Sequence, residues 1–388
     1  MTDGKQRQNA VEAVKGLEGV IIGESELSYI DGQQGVLAYL GIPIEELAEA
    51  STFEEVAYML LHHRPPNRDE LEGFKAELTA NRALPGEVLQ VLKDLHVQNT
   101  KTPAMAVLRT AISALGVYDP EAEDHSPEAI RRKAVRLIAR SPTIVAAIQR
   151  LRRRQEPVAP NSELGHAANF LYMLTGTLPD DYTARVMDVA LILHADHGSN
   201  ASTFTAIVTI STLTDIYSAV TAAVGSLKGP LHGGANREVM QTLLQIGDVE
   251  KAETYVEEAL AHHQKIMGFG HRVYKTYDPR ARILNRYSKR LAEIQGDITW
   301  YEISRRIEKA VVDRLGEKGI FPNVDFYSAT VYYYMGFEPD LYTPIFAVSR
   351  IAGWTAHILE QLEENRLFRP RFRYIGPIQA SYIPIDER

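Results

Sequence analysis

The sequence predicts an all-α protein with one short β element near its N-terminus, and three observations carry that prediction. Apolar residues recur at helical spacing along most of the chain, strand-like alternation is confined to residues 19–41, and no repeat with a period of 20–50 residues divides the chain. Residues 19–41 contain Asp31-Gly32, Gly35 and Gly41, turn chemistry that marks a hairpin or two. Phe53, Val56, Ala57, Leu60 and Leu61 then fall at i, i+3, i+4, i+7 and i+8, and Thr52 and Glu55 ahead of them have the spacing of a capping box. Further helices are predicted at 67–80, 86–96, 102–116, 127–155, 165–175, 181–196, 203–224, 236–246, 249–266, 279–295 and 300–316. Residues 154–165, with Pro157 and Pro160, read as an inter-helix loop. Ile351, Trp354, Thr355, Ile358, Leu359 and Leu362 repeat the apolar stripe near the other end.

A length of 388 residues suggests two or three domain-sized cores. The chain has no cysteine, which excludes disulfides, Cys-ligated zinc or iron–sulfur centres and a thiol nucleophile. With 42 Lys and Arg against 50 Asp and Glu, the net charge of −8 argues against a nucleic-acid partner. Residues 1–6 lack the apolar core of a signal peptide, and Val189 to Leu193 is typical of the longest apolar runs, so a cytoplasmic protein without a membrane partner is expected. Charge is uneven. Residues 265–314 hold twelve Lys and Arg against six Asp and Glu, and residues 365–373 hold four arginines. Arg150, Arg152, Arg153 and Arg154 read as a solvated helix face.

Three histidine groups and one aspartate stand out. His194 and His197, three apart at the end of a helix, share a face; they permit joint metal ligation, or else one packs while the other caps. His232 lies in Gly229-Pro230-Leu231-His232-Gly233-Gly234, a Gly-rich turn before a helix; the positive end of the dipole there favours the neutral ring. No Gly-Lys-Ser/Thr follows, so the turn is not a P-loop. Gly268-Phe269-Gly270-His271-Arg272-Val273-Tyr274-Lys275 leads through Asp278-Pro279 into Arg280, a glycine- and cation-rich loop suited to anions. Asp325, between Val324 and Phe326, is either a helix cap or a carboxyl whose raised pKa suits a base. Two carbonyl-polarising histidines and one carboxylate suggest proton abstraction beside a carbonyl, followed by attack on another carbonyl.

Gly16 to Val20, Ser28 to Gly32, Ser51 to Tyr58, His194 to Thr205, Gly229 to Asn236, Gly268 to Arg280, Asn323 to Ser328 and Phe346 to Arg350 together resemble the citrate synthase family over nearly the whole chain. The resemblance implies a two-domain helical fold, with residues 1–225 and 332–388 as a large domain and 226–331 as an inserted small one. It implies a cleft between them that closes on oxaloacetate. It implies that Asp325 takes a proton from the methyl of acetyl-CoA, His232 stabilises the enol or enolate, and His271 polarises the ketone of oxaloacetate. His197, Arg280 and Arg350 would hold the oxaloacetate carboxylates, with Arg369 contributed by the partner subunit of a homodimer. Arg272 and Lys275 would touch CoA. No cofactor and no metal are implied.

The chain departs from the family at Leu40, where an arginine is common, and at Arg237, where an acidic residue is common and a cation lies close enough to the His232 turn to tune its field. No N-terminal extension for nucleotide regulation precedes the matching blocks, so control by NADH is not expected. Three other readings compete: a 2-methylcitrate synthase acting on propionyl-CoA, a non-catalytic helical binding protein, and a metal-dependent hydrolase built on His194, Asp196 and His197.

Overall fold

The computed structural model describes residues 13–95 and 102–388, which divide into two compact units, 13–24 with 367–388 and 25–366. The readings of residues 1–6 and the end of the predicted 86–96 helix lie outside the described residues. The smaller unit is irregular chain with short 3-10 turns at Lys15–Leu17 and Ile385–Glu387.

The larger unit opens with an antiparallel meander, β1 (Ser28–Asp31), β2 (Val36–Tyr39) and β3 (Ile42–Pro43), paired Ser28↔Tyr39 through Asp31↔Val36 and then Tyr39↔Ile42. The Asp31 carboxylate accepts from the backbone N–H groups of Gln33 (2.8 Å) and Gln34 (2.9 Å) and closes the first turn. That turn meets the cationic loop so closely that a Cβ on Gly32 would stand 2.1 Å from the Val273 carbonyl oxygen, and the Gly32 carbonyl accepts from Lys275 N–H at 2.8 Å. The hairpin thus props the loop that carries His271. Leu40 and Gly41 form the second, two-residue turn with φ of 49° and 79°. A leucine there costs about 1 kcal/mol relative to glycine, so Leu40 strains the turn it occupies.

Sixteen α-helices follow among the described residues. They are α1 (Ile44–Ala50), α2 (Phe53–His62), α3 (Arg68–Ala80), α4 (Gly86–Asp94), α5 (Ala104–Val117), α6 (Pro127–Arg152), α7 (His166–Thr175), α8 (Asp181–His194), α9 (Ala201–Ile210), α10 (Ile216–Leu227), α11 (Ala235–Ile246), α12 (Ala252–Ala261), α13 (Pro279–Gln295), α14 (Thr299–Leu315), α15 (Val324–Tyr334) and α16 (Tyr342–Glu363). The all-α expectation with one N-terminal hairpin holds. Two predicted helices do not. The segment 203–224 is broken by a turn at residues 211–215, where Leu213 takes φ 63° and Asp215 caps α10 by accepting from Ser218 N–H. The segment 249–266 stops at Ala261, because His263 turns left-handed at φ 54°.

α16 is the centre of the larger unit. Every residue from Tyr342 to Leu359 is buried, and the helix packs on α2, α6, α8, α9 and α10. Its sequence stripe suggests one apolar face; neighbours on every side make the helix apolar nearly all round. Of the arginines ending α6, Arg153 and Arg154 are exposed as a solvated face would be, but Arg152 is not: its side chain is 7% exposed and paired with Asp340 at 2.6 Å.

Candidate active site

Helix starts and the turns before them carry most of the singled-out residues. His197 lies in the turn from α8 to α9, His232 just before α11, Arg280 in the first turn of α13, Asp325 in the first turn of α15, and Arg350 on the central α16. The His197 and His271 rings lie 5.1 Å apart, centroid to centroid. Burial first, then Arg280, His271 and Arg350, hold the His197 imidazole well below its ordinary pKa. The same two arginines lower the carboxyl of Asp325, against the burial that raises it. Asp325, His197, His271, Arg280 and Arg350 therefore form one electrostatic neighbourhood, which His232 joins through Arg350.

Hydrogen bonds select the tautomer of each key histidine. The backbone N–H of Ser202 donates to His232 Nε2 at 3.2 Å, and the Ser202 hydroxyl lies 2.8 Å from the same nitrogen; the N–H donor matches a lone pair on Nε2 and a proton on Nδ1. Ser202 is itself held: its N–H also reaches the Asn200 cap of α9 (3.1 Å), and its Oγ accepts from Trp354 Nε1 on α16 (3.1 Å). At His271 the arrangement is reversed. Backbone N–H groups of Val273 (3.0 Å) and Tyr274 (3.3 Å) donate to Nδ1, leaving the proton on Nε2. Burial pulls both rings down to about 4, helped by Arg350 at His232 and by Arg280 at His271. Both are neutral at pH 7, and each presents one N–H donor.

Asp325 is not the cap of α15; Asn323 is, accepting from Asp325 N–H at 3.0 Å. The residue is partly exposed, but its Oδ1 is buried without a hydrogen-bond partner. Burial, reinforced by Asp278 and opposed by Arg280 and Arg350, pushes the carboxyl up to about 7. Buried Arg280 is locked by Asp278 through Nε (3.0 Å) and Nη2 (2.7 Å), and the same carboxylate accepts from Val324 N–H at 3.1 Å. Asp278 thus ties α13 to the start of α15. Arg350 Nε donates to the His194 carbonyl at 2.7 Å, and its guanidinium lies 4.7 Å from the Phe346 ring centroid.

His194 and His197 do not share a helical face. α8 ends at His194, whose Nδ1 donates to the Ala190 carbonyl at 2.7 Å while its ring packs on Phe346 and Tyr332. His197 turns toward His271 and Tyr274, with Nε2 3.1 Å from the Tyr274 hydroxyl. Among the described residues, no group of three or more His, Asp or Glu is placed to hold a metal ion. The sequence reading missed Ser202, Tyr274 and the second role of Asp278. The Asp278-Pro279 helix start was visible; Ser202 and Tyr274 carry no local signal, because their partners are distant in sequence.

A family model described as citrate synthase, C-terminal domain, matches residues 16–371. The chain belongs to the citrate synthase family. It is 52% identical over 374 residues to a citrate synthase of Deinococcus radiodurans, covering 96% of this chain and 98% of that one. A 2-methylcitrate synthase of Mycobacterium tuberculosis is 42% identical over 362 residues, covering 93% and 90%. The larger likeness in three dimensions includes a ternary complex of carboxymethyl coenzyme A and oxaloacetate with citrate synthase from Thermoplasma acidophilum. It matches with a TM-score of 0.92 and 35% identity over 97% of this chain and 100% of that one.

Against that family pattern, Arg237 does not tune the His232 turn freely. Its Nη1 is engaged by Asp340 at 3.2 Å, the carboxylate that also holds Arg152. Leu40 supplies no charge and packs partly against the core. Arg272 and Lys275 are exposed, with Lys275 Nζ donating to the Arg272 carbonyl at 3.3 Å. Arg369 belongs to the smaller unit and is exposed there.

Proposed function

We propose that this chain condenses acetyl-CoA with oxaloacetate and water to give citrate and CoA. One observation carries the reading: two neutral histidines with opposite tautomers accompany a carboxyl poised at about 7. The Asp325 carboxylate removes a methyl proton from acetyl-CoA while His232 Nδ1–H hydrogen-bonds the thioester oxygen, since a thioester α-proton is too weakly acidic without a preorganised donor. The methyl carbon attacks the ketone carbon of oxaloacetate, and His271 Nε2–H supports the developing alkoxide. Water then cleaves the citryl thioester. His197, Arg280 and Arg350 receive the oxaloacetate carboxylates, for which the guanidinium fork is suited. The reading requires no cofactor, since acetyl-CoA is consumed as substrate, and assigns Arg272 and Lys275 to CoA.

The experiment follows CoA release with a thiol reagent in the presence of oxaloacetate, acetyl-CoA against propionyl-CoA. The cysteine-free chain adds no background. Higher kcat/KM with acetyl-CoA is expected; a preference for propionyl-CoA makes the chain a 2-methylcitrate synthase, and release with neither ester sinks the catalytic reading. We also read residues 226–331 as a small domain closing over the site, and Arg369 as reaching the partner's site in a homodimer. Per-subunit activity should then fall on dilution as dimers dissociate. A dilute monomer with full turnover would show that no residue is shared.

A further inference from the structure

We propose that His357 is a positioning residue for the oxaloacetate subsite, a buried imidazolium that clamps Asp196 and, through it, the 194–198 turn. The inference rests on the reading above that His197 and Arg350 hold oxaloacetate. His357 and Asp196 are both buried, at 6% and 0% exposure. The two ring nitrogens of His357 both face carboxylates, Nε2 toward Asp196 Oδ2 and Nδ1 toward Glu360 Oε2, each at 3.2 Å. A neutral imidazole would aim a lone pair at one of those oxygens; only the doubly protonated ring donates to both. The remaining groups around the pair are donors. Gly198 N–H (3.1 Å) and the Ser28 hydroxyl reach Asp196 Oδ2, and Glu26 N–H reaches Glu360 Oε1 at 2.9 Å. Arg350, on the same helix, is the other cation that Asp196 feels. Burial pulls the His357 imidazole down, but Asp196 and then Glu360 outweigh it and push the group up to about 9.

The clamp bears on the site because one face of α16 staples the whole turn. Arg350 Nε binds the His194 carbonyl at 2.7 Å, Gly353 N–H binds the Ala195 carbonyl at 3.1 Å, and His357 binds the Asp196 side chain. The approach is close enough that a Cβ on Gly353 would stand 2.3 Å from the Ala195 carbonyl oxygen. His197 is the next residue. Asp196 Oδ1 is buried without a partner, so this carboxylate depends for compensation on His357 and Arg350. With His357 charged, Arg350 is available to a substrate carboxylate. With His357 neutral, Asp196 draws Arg350 toward itself and frees the turn that carries His197.

The test combines oxaloacetate calorimetry between pH 7 and 10 with nitrogen-15 spectra of labelled histidine, on the wild type, Glu360→Gln and His357→Gln. One histidine should keep both ring nitrogens protonated at pH 8, and that signal should vanish in His357→Gln. Wild-type affinity should fall about tenfold as pH rises through about 9, since the charged form is present below that value and lost above it. Glu360→Gln should move the fall to lower pH, and His357→Gln should bind about tenfold more weakly already at pH 7. Burial pulls the Arg350 guanidinium down from its usual range, but a guanidinium keeps its proton across this pH window. Glu360 lies ten residues along α16, about 15 Å away, so its substitution separates the two groups. An unmoved midpoint in Glu360→Gln, or a His357 ring neutral at pH 8, overturns the proposal. Glu360→Gln alone decides it if His357→Gln does not fold. Arg350→Ala supplies the control. If it binds oxaloacetate normally, the underlying site reading fails; if it loses affinity while both His357 and Glu360 variants keep theirs, only the clamp fails.

Discussion

Replacing Asp325 with asparagine is expected to stop exchange of the acetyl methyl protons with solvent and to lower kcat by about 10²–10⁴-fold, the range for a lost general base. Oxaloacetate binding should survive, because Asp325 does not hold the two buried arginines: Arg280 is paired with Asp278 and Arg350 with the His194 carbonyl. The base form of the wild type is lost as pH falls through about 7, so kcat should decline on that acid limb, and the variant's residual rate should not follow it. Stability should move the other way. A carboxyl whose pKa is raised on folding disfavours the native state wherever the unfolded chain would ionise, so the neutral amide should raise Tm at pH 7 and above. Methyl exchange measured by proton NMR at the wild-type rate in Asp325→Asn would remove this residue from the base role.

The two buried arginines should fail differently. Arg350→Ala should weaken oxaloacetate binding by about 2–5 kcal/mol, or about 30- to 5,000-fold, the cost of truncating one side of a buried, hydrogen-bonded charge pair. Arg280→Ala should add a folding defect of about 3–5 kcal/mol, because it strands the carboxylate of Asp278, which is 1% exposed. Asp278 accepts from Val324 N–H at the start of α15, so that defect should also loosen the turn carrying Asp325. Calorimetry with oxaloacetate and denaturant titration of both variants check this contrast. Equal stability in the two would mean that the Arg280–Asp278 pair carries no net structural weight.

Much of this protein was legible in its sequence because the relevant signals are local. Helical periodicity, the Thr52 cap and the Asp278-Pro279 start depend on residues within a turn or two, and α13 begins and ends where the pattern places it. The breaks at 211–215 and after Ala261 escaped because each rests on one left-handed residue, Leu213 or His263, that is neither glycine nor asparagine. Arg152 looked solvated because its partner, Asp340, lies far along the chain. The same distance turned Arg237 from a field-tuning cation into half of an ion pair.

By itself the sequence determined the helical class, the N-terminal hairpin and the inventory of groups, namely His232, His271, Asp325 and the arginines around them. The absence of cysteine limited the chemistry to what those groups can do. Only the tertiary structure decided their states. The tautomer of His232 is chosen by Ser202, thirty residues away, and the charge of His357 by Asp196, 161 residues away. The position of Asp325 at about 7 follows from burial at a helix start packed among other helices. Protonation depends on which dipoles and charges surround a group in space, and residue order alone does not specify those neighbours.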